Sequence, residues 1–368
     1  MTYSGYRIKV PGKLLIAGEY AVLEPEQQAV VIAVNRFITV TIEPSTQYIL
    51  SLPDLDFDFL TWENSGNTIQ LSDSDSQLQF IQHSIEVATQ FLQESSIDVR
   101  PFHLTINSDL NDSLSGRKYG LGSSAAVVVA VISAILKLHC TENPSLDQIF
   151  KLSAISHLKT QKNGSGIDIA ASTYGGWLMY SSFQPKWVLN ELQKRTRLIN
   201  LVEKPWPNLS ITPLHAPTCL KLYVGWTKEV ASTVSMINKV KSFQNKQPKE
   251  YYQFLKKSSF AVERLRKSFE ENDCMGALLS LSINRQALKE LGEHAGIKIE
   301  TLGLEKLLSV ASTYGSCKSS GAGGGDCGIV FMKGEGHREA LYKEWRKVGI
   351  IPLNLRISEQ GVKVKRRE

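Results

Sequence analysis

Three features that define common protein classes are missing from this sequence: a long apolar run, paired cysteines and clustered histidines. No stretch approaches the roughly 20 apolar residues that a membrane span needs, and the start MTYSGYRIKV has no apolar signal core. The five cysteines are odd in number and lack C-x-x-C spacing, so we expect neither a disulfide framework nor a zinc site, which fits a reducing cytoplasm. The seven histidines are scattered without an H-E-x-x-H motif, which argues against hydrolase chemistry.

Strong charge of one sign is also missing from most of the chain. The net charge of +6 and the pI near 8.9 would suit an anionic partner, but the only dense basic run is at residues 363–367. We expect that run to be a solvated terminus and not a nucleic-acid-binding surface. With 42% hydrophobic and 21% charged residues among 368, the composition is typical of a globular protein with two domains.

The apolar pattern of the first half changes its period once. Ile38, Val40 and Ile42 alternate strictly, which predicts an N-terminal β-rich unit. Around Gln77 the period changes, and apolar residues then step by three and four, which predicts an amphipathic helix. The first half is therefore expected to mix strands and helices.

A cluster of prolines suggests where the first domain ends. Four prolines fall between residues 204 and 217, where each removes a backbone donor and discourages helix, so we predict domains at 1–205 and 206–368. The second half contains two predicted strands and two predicted helices, at residues 220–226, 328–332, 250–272 and 276–291. The expected fold class is α+β in both halves.

A glycine loop, YGLGSSA at residues 119–125, precedes an apolar run that predicts a buried helix. Its G-x-G-x-x-A spacing matches the loose dinucleotide fingerprint, so the spacing leaves both a dehydrogenase and a phosphotransferase open. Glu142 is near the position of the acidic residue of a dehydrogenase, but no strand precedes it, and the lysine of a Walker A loop is absent. Such a turn can present N–H groups to an anion while a serine ligates magnesium, or it can serve close packing alone.

A second glycine-rich segment occupies residues 318–328 and leads directly into an apolar strand. It has five glycines in eleven positions, a composition also found in flexible linkers. The core-like sequence that follows favours a loop whose N–H groups approach a phosphate.

Two charged residues stand beside glycine turns. Lys13 follows Pro11-Gly12 on a predicted turn between apolar segments, where a solvated lysine is the simpler interpretation. Asp168 follows the polar turn NGSG and has either a helix-capping or a catalytic role.

Taken in order, the motifs PGKLLIAGEYAVL, YGLGSSAAVVVA, NGSGIDIAASTYGG and SSGAGGGDCGIVF resemble those of the GHMP kinase superfamily, which includes galactokinase and homoserine, mevalonate and phosphomevalonate kinases. They run from residue 9 to residue 332. Three features resemble the branch whose acceptor is phosphomevalonate. In GEYAVL a tyrosine follows the glutamate, where mevalonate kinases usually have a histidine. The other two are the segment at residues 224–231 and GAGGGDC in the last loop.

The resemblance implies a fold and a reaction. The fold is an N-terminal ribosomal-protein-S5-domain-2-like α/β domain followed by a C-terminal ferredoxin-like domain, with the active site in the cleft between them. The reaction is transfer of the γ-phosphoryl group of ATP to phosphomevalonate with Mg²⁺, in the mevalonate pathway of isoprenoid biosynthesis. It implies a cytoplasmic monomer or homodimer with no nucleic-acid or membrane partner.

The resemblance also implies a role for individual residues. Lys13 and Asp168 would be catalytic, and Ser123 or Ser124 would ligate magnesium. The ATP-binding residues would be Lys118, Gly120, Leu121, Gly122, Ser123, Ser124 and Ala125. The acceptor-binding residues would be Glu19, Tyr20, Ser165, Lys228, Gly321, Ala322, Gly323 and Gly324.

Two other functions on the same fold stay open at this point. Mevalonate kinase or another small-molecule kinase would use a hydroxyl acceptor. A non-catalytic metabolite sensor would need no catalytic pair, so the presence of both Lys13 and Asp168 argues against it.

Overall fold

The structure, a computed structural model, describes most of the chain. The described residues are 5–65, 68–72, 75, 78–113, 115–229 and 233–367. Gln77, where we expect the change of period, lies outside them, as do Val230 and Ala231 of the segment at 224–231.

The larger of the two sheets seen in the described residues has nine strands. Their order is β13-β1-β2-β6-β3-β4-β5, with β7 paired to β2 and β8 paired to β7. The strands are β1 (Tyr6–Ala17), β2 (Gln28–Pro44), β3 (Ile49–Leu52), β4 (Phe57–Ser65), β5 (Thr68–Leu71), β6 (Phe102–Ser108), β7 (Trp177–Ser181), β8 (Ser210–Leu214) and β13 (Lys363–Arg366). Strand β2 is long enough to pair with β7 through its first residues and with β6 through its last. The alternating strand predicted at residues 38–42 is the second part of β2.

Six α-helices accompany this sheet among the described residues. They are α1 (Gln79–Glu94), α2 (Ser123–His139), α3 (Leu146–Gln161), α4 (Ile167–Tyr174), α5 (Pro185–Gln193) and α6 (Leu198–Glu203). Short 3₁₀ turns occur at Ala21–Leu23 and Pro53–Leu55. The predicted stripe of α1 faces the core, since Ile81, Ile85 and Leu92 are all buried. Helix α2 packs on β1 and β2, which places its first turn beside the strand that carries Lys13.

The second sheet is ferredoxin-like. Its antiparallel strands have the order β10-β11-β9-β12, and the chain runs strand, helices, two strands, helix, strand. The elements are β9 (Leu220–Trp226), α7 (Thr233–Lys246), α8 (Pro248–Glu270), α9 (Cys274–Ala295), α10 (Leu302–Ala311), β10 (Ser316–Ser319), β11 (Cys327–Lys333), α11 (Arg338–Lys347) and β12 (Ile351–Leu353). The predicted α+β class with a ferredoxin-like C-terminal domain is confirmed.

Two segments beyond residue 206 return to the first sheet. Strand β8 pairs with β7, and β13 pairs with the outer edge of β1. A division at 205/206 remains a prediction. Because both segments pair with strands of the first sheet, they belong to the first unit. The tail expected to be solvated at 363–367 is exposed from Val364 to Arg367, and its backbone also forms the edge strand β13 against β1.

Cys219 and Cys274 form a disulfide, contrary to the expectation of no disulfide. They are 55 residues apart in sequence and meet because the start of α9 packs near the residue that precedes β9. No local motif marks such a pair.

Both sheets contribute to one hydrophobic core. The Trp177 ring of the first sheet lies 5.1 Å from the Phe269 ring of α8 and 6.1 Å from the Phe331 ring of β11. The two units therefore meet through packed aromatic side chains. Among the described residues, no helix has the length and apolarity to cross a membrane.

Candidate active site

The loop at residues 119–125 has the backbone of an anion-binding turn. Gly120 and Gly122 have φ of +77° and +76°, in the left-handed region that favours glycine. Helix α2 begins immediately afterwards, with Gly122 as its N-cap and no capping side chain among the described residues. The first N–H groups of α2 are therefore left for a ligand, and the helix dipole adds positive potential there.

Ser123 and Ser124 are the first two residues of α2, and both are partly exposed. Their predicted position at a helix N-terminus is confirmed, but neither hydroxyl caps the helix. Leu121 and Ala125 are buried, and the Leu121 carbonyl accepts a hydrogen bond of 2.8 Å from the Lys13 N–H. The loop is thus anchored to β1 through its backbone.

Lys13 lies within β1, opposite Ala33 of β2, and the prediction of a turn was wrong. Pro11-Gly12 reads as a turn, yet the strand continues through it by a shift of register between these two residues. A Cβ at Gly12 would lie 2.7 Å from the Leu121 carbonyl oxygen, so glycine is what lets the loop approach β1.

The Lys13 ammonium lies 3.8 Å from the Asp168 carboxylate. Only 13% of the Lys13 side chain is exposed, whereas 41% of the Asp168 side chain is exposed. A Cβ on Gly122 would lie 3.0 Å from Lys13 Cγ and Cε, so the lysine stem runs along the glycine loop. The charge of Lys13 is therefore held between the loop and Asp168.

Asp168 is the second residue of α4, whose N-cap is Gly166, so it does not cap the helix. Helix α4 is fixed to β1 by a hydrogen bond of 2.8 Å from Ser172 Oγ to the Pro11 carbonyl. Ser165 is buried before the helix, and its carbonyl accepts hydrogen bonds from the Tyr180 and Ser182 hydroxyls. These contacts hold Asp168 opposite Lys13.

The second glycine loop lies against the first. Gly321, Gly323 and Gly324 have φ of +76° to +77°, and the Gly324 N–H donates to the Ile299 carbonyl at 2.8 Å. A Cβ on Gly120 would lie 2.6 Å from the Asp326 carboxylate. The two loops, more than 190 residues apart in sequence, therefore meet as two neighbouring glycine turns.

Glu19 and Tyr20, predicted to contact the acceptor, are both buried. Glu19 Oε1 accepts a hydrogen bond from the Lys318 ammonium, and the Tyr20 hydroxyl donates to the Ala322 carbonyl at 2.5 Å. Burial raises the pKa of Glu19 and that of Tyr20, and it lowers the pKa of Lys318, whose attraction to Glu19 opposes the shift in both partners. Contact of Glu19 and Tyr20 with the acceptor stays a prediction.

Lys118, predicted to bind ATP, and Lys228, predicted to bind the acceptor, are both exposed. Lys228 has φ of +65°, and its carbonyl accepts a hydrogen bond of 3.1 Å from Arg117, the neighbour of Lys118. The segments that carry the two lysines are therefore in contact.

Three contributors to this geometry were missed from the sequence. Lys318 looks like one of many scattered lysines, and Asp326 like a polar loop residue. Tyr119 packs its ring 4.8 Å from that of Trp226, and its carbonyl accepts a hydrogen bond from the Cys327 thiol. The glycine run that ends just before Asp326 and the aromatic residue before Gly120 were the available signals.

The residues fit a magnesium nucleotide better than a protein-chelated metal. Within the described part of the chain, no three His, Cys, Asp or Glu side chains are grouped to hold a metal ion. The Ser123 and Ser124 hydroxyls stand beside the free amides of α2, where a cation that is also bound to phosphates can be ligated.

Two family models match separate parts of the chain. The family model of the GHMP kinase N-terminal domain matches residues 82–176, and that of the C-terminal domain matches residues 280–351. A phosphomevalonate kinase of Streptomyces sp. is 33% identical over 366 residues, covering 96% of this chain and 97% of that protein.

Two solved structures are similar over nearly the whole chain. A protein from Listeria innocua has a TM-score of 0.91 and 38% identity, covering 98% of this chain and 99% of the other. Streptococcus pneumoniae phosphomevalonate kinase, solved with phosphomevalonate and AMPPNP, has a TM-score of 0.83 and 30% identity, covering 96% and 99%. With its two glycine loops meeting beside a lysine–aspartate pair, the chain belongs to the GHMP kinase family.

Proposed function

We propose that the protein is a phosphomevalonate kinase, which transfers the γ-phosphoryl group of ATP to (R)-5-phosphomevalonate and releases (R)-5-diphosphomevalonate and ADP. The observation that carries the proposal is the meeting of two positive-φ glycine loops beside Lys13 and Asp168. A site for two polyanions needs backbone donors and cations on both sides. The full-length similarity to phosphomevalonate kinases supports the choice of acceptor.

The first loop and α2 suit the donor. Gly120, Leu121 and Gly122 would wrap the phosphates of ATP, whose negative charge the free amides and dipole of α2 stabilise. Bound Mg²⁺, held by Ser123 or Ser124, would neutralise part of the phosphate charge.

The second loop suits the acceptor. The amides around Ala322 and Gly323 would bind the phosphate of phosphomevalonate. An oxygen of that phosphate attacks the γ-phosphorus, and the bond from the γ-phosphorus to the bridging oxygen breaks, so that ADP leaves with the electron pair. Lys13 stabilises the charge on the transferring group and so lowers the barrier.

Asp168 has a limited proton-transfer role in this reaction. A phosphate monoester has a second pKa of about 6 and is mostly dianionic at pH 7, so its attacking oxygen needs little help from a base. Asp168 would orient Lys13, which lies 3.8 Å away, or take the last proton when the monoanion binds. As part of the same proposal we place the enzyme in the cytoplasm, where the Cys219–Cys274 disulfide would be reduced.

The test is ADP release by the pure protein with ATP and Mg²⁺, with mevalonate, phosphomevalonate, homoserine and galactose presented in parallel. We expect the highest kcat/KM with phosphomevalonate. A higher kcat/KM with mevalonate would reassign the protein within the family. Nucleotide binding without turnover of any acceptor would favour the sensor, and a nicotinamide absorbance assay tests the dehydrogenase.

A further inference from the structure

The acceptor loop is tied to the strand of Lys13 by three side-chain hydrogen bonds. They join the segment at residues 15–20, which ends β1 and follows it, to the segment at residues 318–322. The bonds run from Ser320 Oγ to the Leu15 carbonyl (2.9 Å), from the Tyr20 hydroxyl to the Ala322 carbonyl (2.5 Å) and from the Lys318 ammonium to Glu19 Oε1. The loop therefore takes its position partly from the other sheet.

The pair of Glu19 and Lys318 is fully buried, with side-chain exposures of 1% and 0%. Lys318 also donates to the Ser319 carbonyl at 2.6 Å, while Glu19 Oε2 has no hydrogen-bond partner among the described residues. Desolvation of two charges offsets most of the attraction between them, so such a pair contributes little net stability. Stability alone does not explain why two charges are buried here.

The loop that follows Lys318 has few other side chains to hold it. Gly321, Gly323, Gly324 and Gly325 all have positive φ and no side chain. Their backbone is correspondingly free to adopt other conformations unless both ends of the loop are fixed. Lys318 fixes the first end of the loop against Glu19. In the middle of the loop, the Gly324 N–H donates a hydrogen bond to the Ile299 carbonyl.

We infer that Glu19 and Lys318 are positioning residues, whose buried contact sets the distance between the amides of the acceptor loop and Lys13 without touching either substrate. The inference rests on the proposed binding of the acceptor phosphate by this loop, and it replaces direct substrate contact as the role of Glu19. Displacement of catalytic groups by about 1 Å can lower turnover a hundredfold, so a buried pair at this junction has a kinetic consequence.

The test uses Glu19→Gln, Lys318→Met and the double variant. Each single change leaves one buried charge without its partner and is expected to lower Tm, whereas the double change removes both charges and restores most of the stability. In the folded double variant we expect KM for the acceptor to rise about tenfold or more while KM for ATP changes less than about twofold. The control is Glu191→Gln/Lys204→Met, which removes a more exposed ion pair that involves no residue of either loop; its Nζ–Oε2 distance is 2.7 Å.

A second readout does not depend on the identity of the acceptor. The N–H groups of Ser320, Gly324 and Asp326 are hydrogen-bonded in the loop, and their hydrogen exchange should accelerate in the double variant while that of residues 119–125 does not. Unchanged exchange, or an acceptor KM that returns to the wild-type value, would overturn the positioning role. Equal rises in both KM values would also overturn it. If wild-type protein prefers another acceptor, the proposed function fails, and the exchange result still decides the inference.

Discussion

At the residue scale, Lys13 is placed to act on the transition state. Its stem runs along Gly122, its ammonium lies 3.8 Å from the Asp168 carboxylate, and its side chain has little exposure to water, so its charge is weakly screened. We predict that Lys13→Met lowers kcat by about a hundredfold or more and changes ATP binding much less. Steady-state kinetics and nucleotide titration measure the two effects separately.

The matched control is Lys9→Met in the same strand. Lys9 is exposed, and its ammonium lies 5.9 Å from the centre of the Phe37 ring. This change should leave turnover close to that of the wild type. Equal activity of both variants would return Lys13 to the role of an ordinary surface lysine.

Asp168 should contribute most to turnover when the phosphate of the acceptor still carries its last proton. We predict that Asp168→Asn retains measurable activity and that its deficit narrows as pH rises from about 6 to about 8, because the acceptor then binds as its dianion. The measurement is kcat and kcat/KM across that range, with phosphomevalonate saturating in the kcat series. Asp147→Asn, which removes the partner of Lys151 at 2.8 Å on α3, is the control. A deficit that is large at every pH would leave only orientation or electrostatics for Asp168.

At the scale of the element, the glycine turn before α2 has two separable requirements. Gly122 needs a positive φ, and a Cβ there would also press on the Lys13 stem at 3.0 Å. Gly116 has φ of +67°, but an added Cβ meets no described atom within 4 Å. We predict that alanine at either position costs about 1–2 kcal/mol of stability, while only Gly122→Ala also reduces kcat. Denaturant unfolding and turnover test this, and equal kinetic losses would argue against the steric effect on Lys13.

Substitution of the two serines of α2 should change the magnesium requirement more than the stability of the helix. Because Gly122 is the N-cap, Ser123→Ala and Ser124→Ala should each leave stability nearly unchanged, and the variant that loses the magnesium ligand should need more Mg²⁺ for half-maximal rate. Ser145→Ala, which removes a true capping box on α3, should cost about 1 kcal/mol without changing the Mg²⁺ requirement. An unchanged requirement in both α2 variants would place the metal elsewhere.

Local elements were the part of the fold and site that sequence could predict. Helix α2 and its glycine turn follow from an apolar run and from glycine spacing, both of which act over a few residues. The strand position of Lys13 does not, because Pro11-Gly12 has the chemistry of a turn and only pairing with β2 keeps it extended. The contact of Glu19 with Lys318 joins residues 299 apart, and it depends on how two sheets pack, which no local pattern encodes.

At the scale of the whole molecule, the two units share one core. Trp177 packs on both Phe269 and Phe331, and the buried apolar cluster continues from the first sheet into β9 and β11. We predict one thermal unfolding transition with equal calorimetric and van't Hoff enthalpies, since neither unit keeps its apolar surface covered alone. Two resolved transitions in a calorimetric scan would show that the units unfold independently.

The return of the chain to the first sheet has a consequence during synthesis. The outer edge of β1 is paired by β13, and the whole ferredoxin-like unit lies between these strands in the sequence. At a ribosomal rate of roughly 5–20 residues per second, that edge waits on the order of tens of seconds for its partner. The nascent strand that carries Lys13 therefore gains its last neighbour, along residues 6–9, only after both glycine loops have been made.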